Sequence, residues 1–226
     1  MNAKLAAGTG ILVTRPSGQA LHLAQLIEAA GGEPISFPAL QIEPIAEPAI
    51  TAILDRAARF DLMIFVSRNA ARLALPQILK HERLHAGAQF AVVGPGTAEE
   101  LKKAGVQNII SPEQGADSEA LLEKLTAMRL DAQRALIVRG QGGREFLAES
   151  LRARGTVVEY LECYRRIKPD RNVGELISRP GRVDVKACLA TSSSIVENLF
   201  DMAGAQWRSW LCGIPFIVSH PRVAAT

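Results

Sequence analysis

The chain carries an internal repeat, and this restricts its fold more than any other feature. Displaced by about 124 residues, Leu12-Val13-Thr14-Arg15 falls on Leu136-Ile137-Val138-Arg139. Gly18 then falls on Gly142, Leu23-Ala24 on Leu147-Ala148, Ala29 on Ala153 and Gly31 on Gly155. The repeated unit reads as a strand, an arginine-bearing turn, a helix and a glycine stop. Later blocks echo each other more loosely. Asp61 to Ser67 resembles Asp184 to Ser192, and Phe90 to Thr97 resembles Phe216 to Arg222 with the register slipped by a residue or so. A supersecondary unit written twice predicts two similar lobes, with a gap between them in which a ligand could sit.

Periodicity gives the content of each copy. Short β-rich runs predict strands at 10–14, 61–67, 90–93, 107–110, 134–139, 156–162, 184–190 and 214–219. Helix-period segments lie between them at 17–30, 47–59, 68–80, 96–104, 117–129, 142–154, 170–178 and 193–203. Ser17, Asp117 and Thr191 or Ser192 read as N-caps; Gly31, Gly105, Gly155 and Gly204 read as helix stops. Short apolar strands alternating with helices imply an α/β fold, with parallel sheets flanked by helices on both faces.

Two segments break the alternation. Phe37 to Pro44 and Tyr160 to Pro169 are extended, alternating and closed by proline, and each leaves its copy at an equivalent place. They are expected to run side by side as a two-stranded β-ladder, a marginally stable connection suited to a hinge. The expected organisation is therefore lobe 1 from residues 1–37 plus 168–226, lobe 2 from 46–158, and a ladder of 38–45 and 159–167. The second copy of the third block stops at Ala224-Ala225-Thr226, where its helix should begin, so a C-terminal helix is expected to be missing from lobe 1.

Composition narrows the function classes. With 48% hydrophobic and 22% charged residues, the chain is neither disordered nor fibrous. Its apolar runs are far shorter than a membrane span, and the N-terminus lacks a signal-peptide core, so a cytoplasmic location is expected. Three cysteines without C-x-x-C spacing make a disulfide framework or structural zinc unexpected; each reads as a small buried apolar residue. Nineteen arginines against seven lysines favour an anionic ligand, because guanidinium pairs with carboxylates in two parallel bonds. No basic run exceeds two residues and aromatics are 5%, which argues against nucleic acid.

Ligands of open α/β sheets bind beyond the carboxyl ends of the strands. There the chain places Thr14-Arg15-Pro16-Ser17, Ser67-Arg68-Asn69, Gly94-Pro95-Gly96-Thr97, Arg139-Gly140-Gln141-Gly142-Gly143-Arg144, Thr191-Ser192-Ser193-Ser194 and Ser219-His220-Pro221-Arg222. Each is a hydroxyl, glycine or arginine turn opening a helix, where unpaired N–H groups attract anions. Any single one is accounted for by ordinary capping. Capping does not require the recurrence of Arg15, Arg68, Arg139, Arg144 and Arg222.

Val13-Thr14-Arg15-Pro16, Phe37-Pro38-Ala39-Leu40, Phe65-Val66-Ser67-Arg68-Asn69-Ala70, Val92-Val93-Gly94-Pro95-Gly96-Thr97-Ala98, Arg139-Gly140 with Gly143-Arg144, Tyr164 with Pro169, Ala190-Thr191-Ser192-Ser193-Ser194 and Val218-Ser219-His220-Pro221-Arg222 follow one another in a specific order. In these the chain resembles the uroporphyrinogen-III synthases over nearly its whole length, apart from that family's final helix. The resemblance implies two lobes joined by a ladder and a lyase reaction without cofactor or metal. A linear hydroxymethylbilane loses its hydroxyl as water, the terminal ring attacks at its substituted carbon, and the spiro intermediate fragments and recloses with that ring inverted. It implies a linear tetrapyrrole with many carboxylates as substrate, handed over by hydroxymethylbilane synthase, and a monomeric enzyme of heme biosynthesis. Tyr164 matches the family's functional tyrosine and is the expected acid. Thr14, Arg15, Ser67, Asn69, Gly94, Thr97, Arg139, Gly140, Gly143, Arg144, Thr191, Ser192, Ser193, Ser219 and Arg222 are the expected substrate contacts.

Rival patterns are weaker. His81-Glu82-Arg83-Leu84-His85 spells H-E-x-x-H, but Ala86-Gly87 ends the helix at once, so a solvated helix end is expected rather than zinc. Gly94-Pro95-Gly96 lacks the third glycine of a dinucleotide turn, whose place is taken by Glu99. A non-catalytic tetrapyrrole or polycarboxylate binder of the same fold is the alternative, since a scaffold alone does not prove activity.

Overall fold

A computed structural model of the chain describes residues 4–6, 8–56, 59–81, 84, 86–178 and 184–226. The strands are β1 (Gly10–Val13), β2 (Glu33–Ser36), β3 (Gln41–Pro44), β4 (Leu62–Phe65), β5 (Gln89–Val92), β6 (Arg134–Gly140), β7 (Val157–Ile167), β8 (Val185–Ala190) and β9 (Phe216–Val218). The helices are α1 (Leu21–Ala29), α2 (Glu47–Arg56), α3 (Arg68–Lys80), α4 (Pro95–Lys103), α5 (Ser118–Ala127), α6 (Phe146–Arg152), α7 (Gly174–Ile177), α8 (Ser193–Cys212) and α9 (Pro221–Ala224). Among the described residues no helix is long and apolar enough to cross a membrane.

The chain divides into two compact units, residues 1–42 with 167–226 and residues 43–166. One sheet has the order β2-β1-β8-β9 and the other β3-β7-β6-β4-β5. The pairs β1–β2, β1–β8 and β8–β9 are parallel, as are β4–β5, β4–β6 and β6–β7.

The repeat is reproduced residue by residue. Leu12 pairs with Ile35, and 124 residues later Leu136 pairs with Glu159; Val13 pairs with Ser36 as Ile137 pairs with Tyr160. Under this displacement β2-β1-β8-β9 maps onto β7-β6-β4-β5 in the same spatial order. The offset then grows by one: Leu12 faces Cys188, while Leu136 faces Met63. A register irregularity in β8 supplies the extra residue, because Gly10 faces Val185 but Ile11 faces Ala187. Lys186 is thus bulged out of the ladder. A further residue separates Met63–Phe90 from Cys188–Phe216, which accounts for the slipped third block.

Central strands are apolar on both faces, as parallel sheets require. All four residues of β1 and of β4 are buried. In β1 the alternation separates two cores: Leu12 packs with Phe37, Cys188, Ala190 and Leu199, while Ile11 and Val13 pack with Ala20, Ile27 and Ala187. In the other unit Leu62, Ile64, Ala135 and Ile137 face Leu121, Leu147 and Leu151. Pro34 and Pro44 lie in edge strands β2 and β3, where a missing N–H is tolerated.

Several local expectations change. Ser17 begins a short 3-10 turn rather than capping α1. The predicted strand at 107–110 is a single bridge, Ala91 to Ile110, because Asn108 takes a left-handed φ of 54°. Gly204 stops one helical segment and starts another: its φ of 55° and ψ of −167° kink α8, which runs on to Cys212. A turn of helix, α9, does form after β9, capped by the His220 Nδ1 that accepts from the Arg222 amide at 3.0 Å. Cys163 and Cys188 are buried, whereas Cys212 is exposed. Glu82, Arg83 and His85 of the H-E-x-x-H pattern lie outside the described residues; His81 ends α3 with Nδ1 3.6 Å from Asp55 Oδ1.

Leu12 and Leu136 occupy equivalent central positions and are 0% and 1% exposed. Truncating either to alanine is expected to cost about 2–5 kcal/mol, read from the urea midpoint at unchanged slope. A cost below about 1 kcal/mol for either would contradict this packing.

Candidate functional site

Because β2-β1-β8-β9 and β7-β6-β4-β5 are each paired in parallel, their carboxyl ends open on one edge of each sheet, and the polar turns collect there. In the unit of residues 43–166 these are Ser67-Arg68-Asn69 after β4, Gly94-Pro95-Gly96-Thr97 after β5 and the glycine loop after β6. In the other unit they are Thr14-Arg15 after β1, Thr191-Ser192-Ser193 after β8 and Ser219 to Arg222 after β9.

The most constrained group is Tyr164. Between Arg139 and Gly140 the β6–β7 register shifts, so that Arg139 faces Glu162 and Gly140 faces Tyr164. The bulge turns Cys163 inward, its thiol donating to the Arg139 carbonyl at 3.4 Å, and lays the Tyr164 ring across Gly140. A β-carbon on Gly140 would come within 2.5 Å of that ring, so only glycine fits. Tyr164 is 1% exposed. Its hydroxyl accepts from Arg166 Nη2 at 3.0 Å and lies 3.1 Å from Ser67 Oγ. The Arg166 guanidinium also stands over the ring, 5.2 Å from its centre. Ser67, half-buried, caps α3 by accepting from the Ala70 amide at 3.1 Å.

Tyr160, four residues earlier, is held differently. Its hydroxyl donates to Glu145 Oε2, and that bond, helped by Arg139, holds the Glu145 carboxyl below its usual range. Burial and the neighbouring carboxylate push the Tyr160 phenol upward. Its proton is therefore retained, although the Arg139 and Arg152 guanidiniums stand 4.9 and 5.5 Å from its ring centre.

The expected cationic loop is partly self-satisfied. Arg139 is 5% exposed: Nε donates to the Gly140 carbonyl at 3.2 Å, Nη1 to Glu145 at 2.9 Å and Nη2 to the Gly142 carbonyl. It shapes its own turn instead of pointing outward. Gly143, at φ 112°, leaves room for it, since a β-carbon there would lie 2.8 Å from Arg139 Nη2. Arg144 is exposed and forks onto Glu119. A cavity opens beside this loop, walled by Val66, Gly140, Gly143, Arg144, Tyr160 and Arg166.

Gly94 caps α4 without a side-chain bond, and the Arg68 guanidinium lies against Gly96 in the first turn. A cation over a helix N-terminus is unfavourable alone and becomes favourable with an anion between them. Asn69 is half-buried in the first turn of α3 and Thr97 is 5% exposed in α4.

In the other unit Thr14 is fully buried and donates to the Leu189 carbonyl at 2.5 Å, so it staples β1 to β8 and offers no free donor. Arg15 is half-buried. Ser192 caps α8 by accepting from the Ile195 amide at 3.3 Å, the counterpart of Ser67. Ser219 donates to the Thr191 carbonyl at 3.3 Å, Ser193 accepts from Thr226 at 2.8 Å, and Arg222 is exposed.

A sequence model of the family described as "Uroporphyrinogen-III synthase HemD" matches residues 22–226. The chain belongs to the uroporphyrinogen-III synthase family. It is 32% identical over 219 residues to the uroporphyrinogen-III synthase of Salmonella typhimurium and 29% identical over 217 residues to that of Escherichia coli K12. Each alignment covers 95% of this chain and 88% of the relative. Among solved structures, a uroporphyrinogen III synthase mutant from Thermus thermophilus matches with a TM-score of 0.62 at 21% identity, covering 96% of this chain and 87% of that one. The Helicobacter pylori uroporphyrinogen-III synthetase matches with a TM-score of 0.54 at 12% identity, covering 93% and 92%. These two likenesses establish the fold.

Sequence reasoning missed Arg166. Strand alternation could have found it, because residues i and i+2 of β7 share a face, and that places Arg166 beside Tyr164.

Two outcomes follow from this geometry. Gly140→Ala is expected to displace the Tyr164 ring, lowering turnover at least tenfold while circular dichroism still reports a folded chain; wild-type turnover would contradict the close approach. Burial pushes the Cys163 and Cys188 thiols up to about 12. Ellman's reagent at pH 8 should therefore titrate one thiol per native chain, Cys212, and three in denaturant. Three fast thiols in the native protein would contradict that burial.

Proposed function

We propose that this chain cyclises linear hydroxymethylbilane to uroporphyrinogen III, inverting the terminal ring and releasing water, and that Tyr164 is the source of the proton carried off by the departing hydroxyl. Family membership over residues 22–226 carries the reaction. The seat of Tyr164 between a hydroxyl and a guanidinium supports its role.

The reaction asks for an acid near the leaving hydroxyl and a folded substrate pose rather than for a strong nucleophile. The substrate's carboxylates would be met by the donors at the two carboxyl edges: the first turns of α3 and α4 with Arg68 and Asn69 in one unit, and Arg15, Ser192, Ser193 and Arg222 in the other, with Ser219 turning its hydroxyl from the Thr191 carbonyl to the substrate. Gly94 lets the backbone approach a ligand closely, while Gly140 and Gly143 make room for the Tyr164 ring and the Arg139 guanidinium. Thr14, Thr97 and Arg139 act on this reading by holding the turns that carry those donors. Arg144 would exchange Glu119 for a substrate carboxylate. The ladder segments 38–45 and 159–167 would serve as the hinge connecting lobes made of residues 1–37 with 168–226 and of 46–158. Hydroxymethylbilane also closes unaided to the type I isomer, which favours direct delivery by hydroxymethylbilane synthase to a monomeric cytoplasmic enzyme.

Incubation with enzymatically generated hydroxymethylbilane, followed by chromatography of the oxidised isomers, tests the reading. Wild type is expected to form the type III isomer. Tyr164→Phe is expected to form it roughly 10²-fold more slowly, with the melting temperature almost unchanged. Type I product alone from wild type would sink the assignment, and a fully active Tyr164→Phe would remove the tyrosine from the mechanism.

A further inference from the structure

Tyr164 is 1% exposed, so its hydroxyl has no direct path to a substrate in this arrangement. Its oxygen has two side-chain neighbours, Arg166 Nη2 at 3.0 Å and Ser67 Oγ at 3.1 Å. A guanidinium has donors only, so on that side the phenol oxygen accepts; of the two directions open to the Ser67 contact, Tyr164 donating is the one that leaves no phenol hydrogen buried and unpaired. Ser67 Oγ then accepts twice, from Tyr164 and from the Ala70 amide at 3.1 Å, which uses both of its lone pairs. Among the described residues the hydrogen of Ser67 is the one group in this chain of bonds still without a partner, and Ser67 is half-buried at the carboxyl edge. Every donor thus points the same way: Arg166 to Tyr164, Tyr164 to Ser67, Ser67 outward.

We propose that Ser67 is the catalytic residue that hands the proton to the leaving hydroxyl, that Tyr164 resupplies it, and that Arg166 is the positioning residue that sets the direction of the relay. This rests on the reading of Tyr164 as the proton source. In the step, the Ser67 O–H bond breaks as its proton moves to the substrate hydroxyl. The C–O bond then cleaves with its electron pair leaving on oxygen as water, and the pyrrole nitrogen lone pair fills the electron-poor carbon. The Tyr164 proton passes to Ser67 in the same motion. The negative charge left on the phenol oxygen faces the Arg166 cation, while the positive end of α3 stands at Ser67. After ring closure the proton lost by the substrate returns along the same path, so the enzyme ends unchanged and water is the only by-product. The ring's seat on Gly140 keeps the phenol from swinging out to act directly.

The test is steady-state kinetics on enzymatically generated hydroxymethylbilane, reading type III formation for variants at each point of the relay. Ser67→Asn keeps an oxygen to cap α3 but no hydroxyl to pass a proton; kcat is expected to fall roughly 10²-fold with KM changed less than about threefold. Ser67→Thr, which keeps both, should stay within about tenfold of wild type. The double variant Ser67→Asn with Tyr164→Phe should be no slower than the slower single variant, because both interrupt one path. Arg166→Gln should lower kcat about tenfold, and Arg166→Lys should recover most of that loss. Wild-type kcat in Ser67→Asn alongside a slow Tyr164→Phe would overturn the relay and leave Tyr164 acting directly. Losses that multiply in the double variant would overturn it as well. Full activity of Tyr164→Phe would instead overturn the underlying reading.

Discussion

Parallel strands covered on both faces leave nowhere for polar chemistry except their ends, and the whole molecule follows from that constraint. β1 and β4 are buried throughout and apolar, and so is the run Ala135 to Val138 of β6, whose arginines stand near the strand ends. The turns after them must satisfy helix N-termini, and the same N–H groups, hydroxyls and arginines that do so can hold an anion. A fold of this kind offers a polyanionic substrate two edges of donors. What distinguishes them is one irregularity, the bulge at Cys163, which brings Tyr164 over Gly140 and under Arg166.

The duplicated pairing shows how tightly that constraint acts. Register is preserved over β1–β2 and β6–β7, where a slip of one residue would turn Leu12 or Leu136 out of its core. Where the copies drift apart, Lys186 is accommodated as a bulge without changing which residues are buried beyond it. The equivalent caps Ser67 and Ser192 have kept the same bond to the amide three residues on. Their surroundings have diverged, since the position equivalent to Tyr164 is Leu40.

Much of this was legible in the sequence because it depends on local pattern. The 124-residue displacement, the apolar strand runs and the caps Asp117 and Ser192 each follow from residues close together in the chain. What could not be read depends on contacts distant in sequence. Arg139 looked like a ligand cation, yet Gly142 and Glu145 turn it inward. Thr14 looked like a turn donor, yet the Leu189 carbonyl, 175 residues away, takes its hydroxyl. Tyr164 was recognisable as a residue of interest, but its burial and its pairing with Ser67, 97 residues earlier, were not. Gly204 reads as a stop in any helix; that a second helical segment resumes at once is decided by Leu211 joining the core beside Leu199 and Met202.

The central claim is that a phenol sealed in the protein delivers its proton through a serine. The most direct measurement is the dependence of kcat on deuterium content in mixed H2O and D2O. Two protons moving together predict a bowed curve for the wild-type enzyme, straightened in Ser67→Asn. A straight line for wild type, or no solvent isotope effect at all, would contradict it.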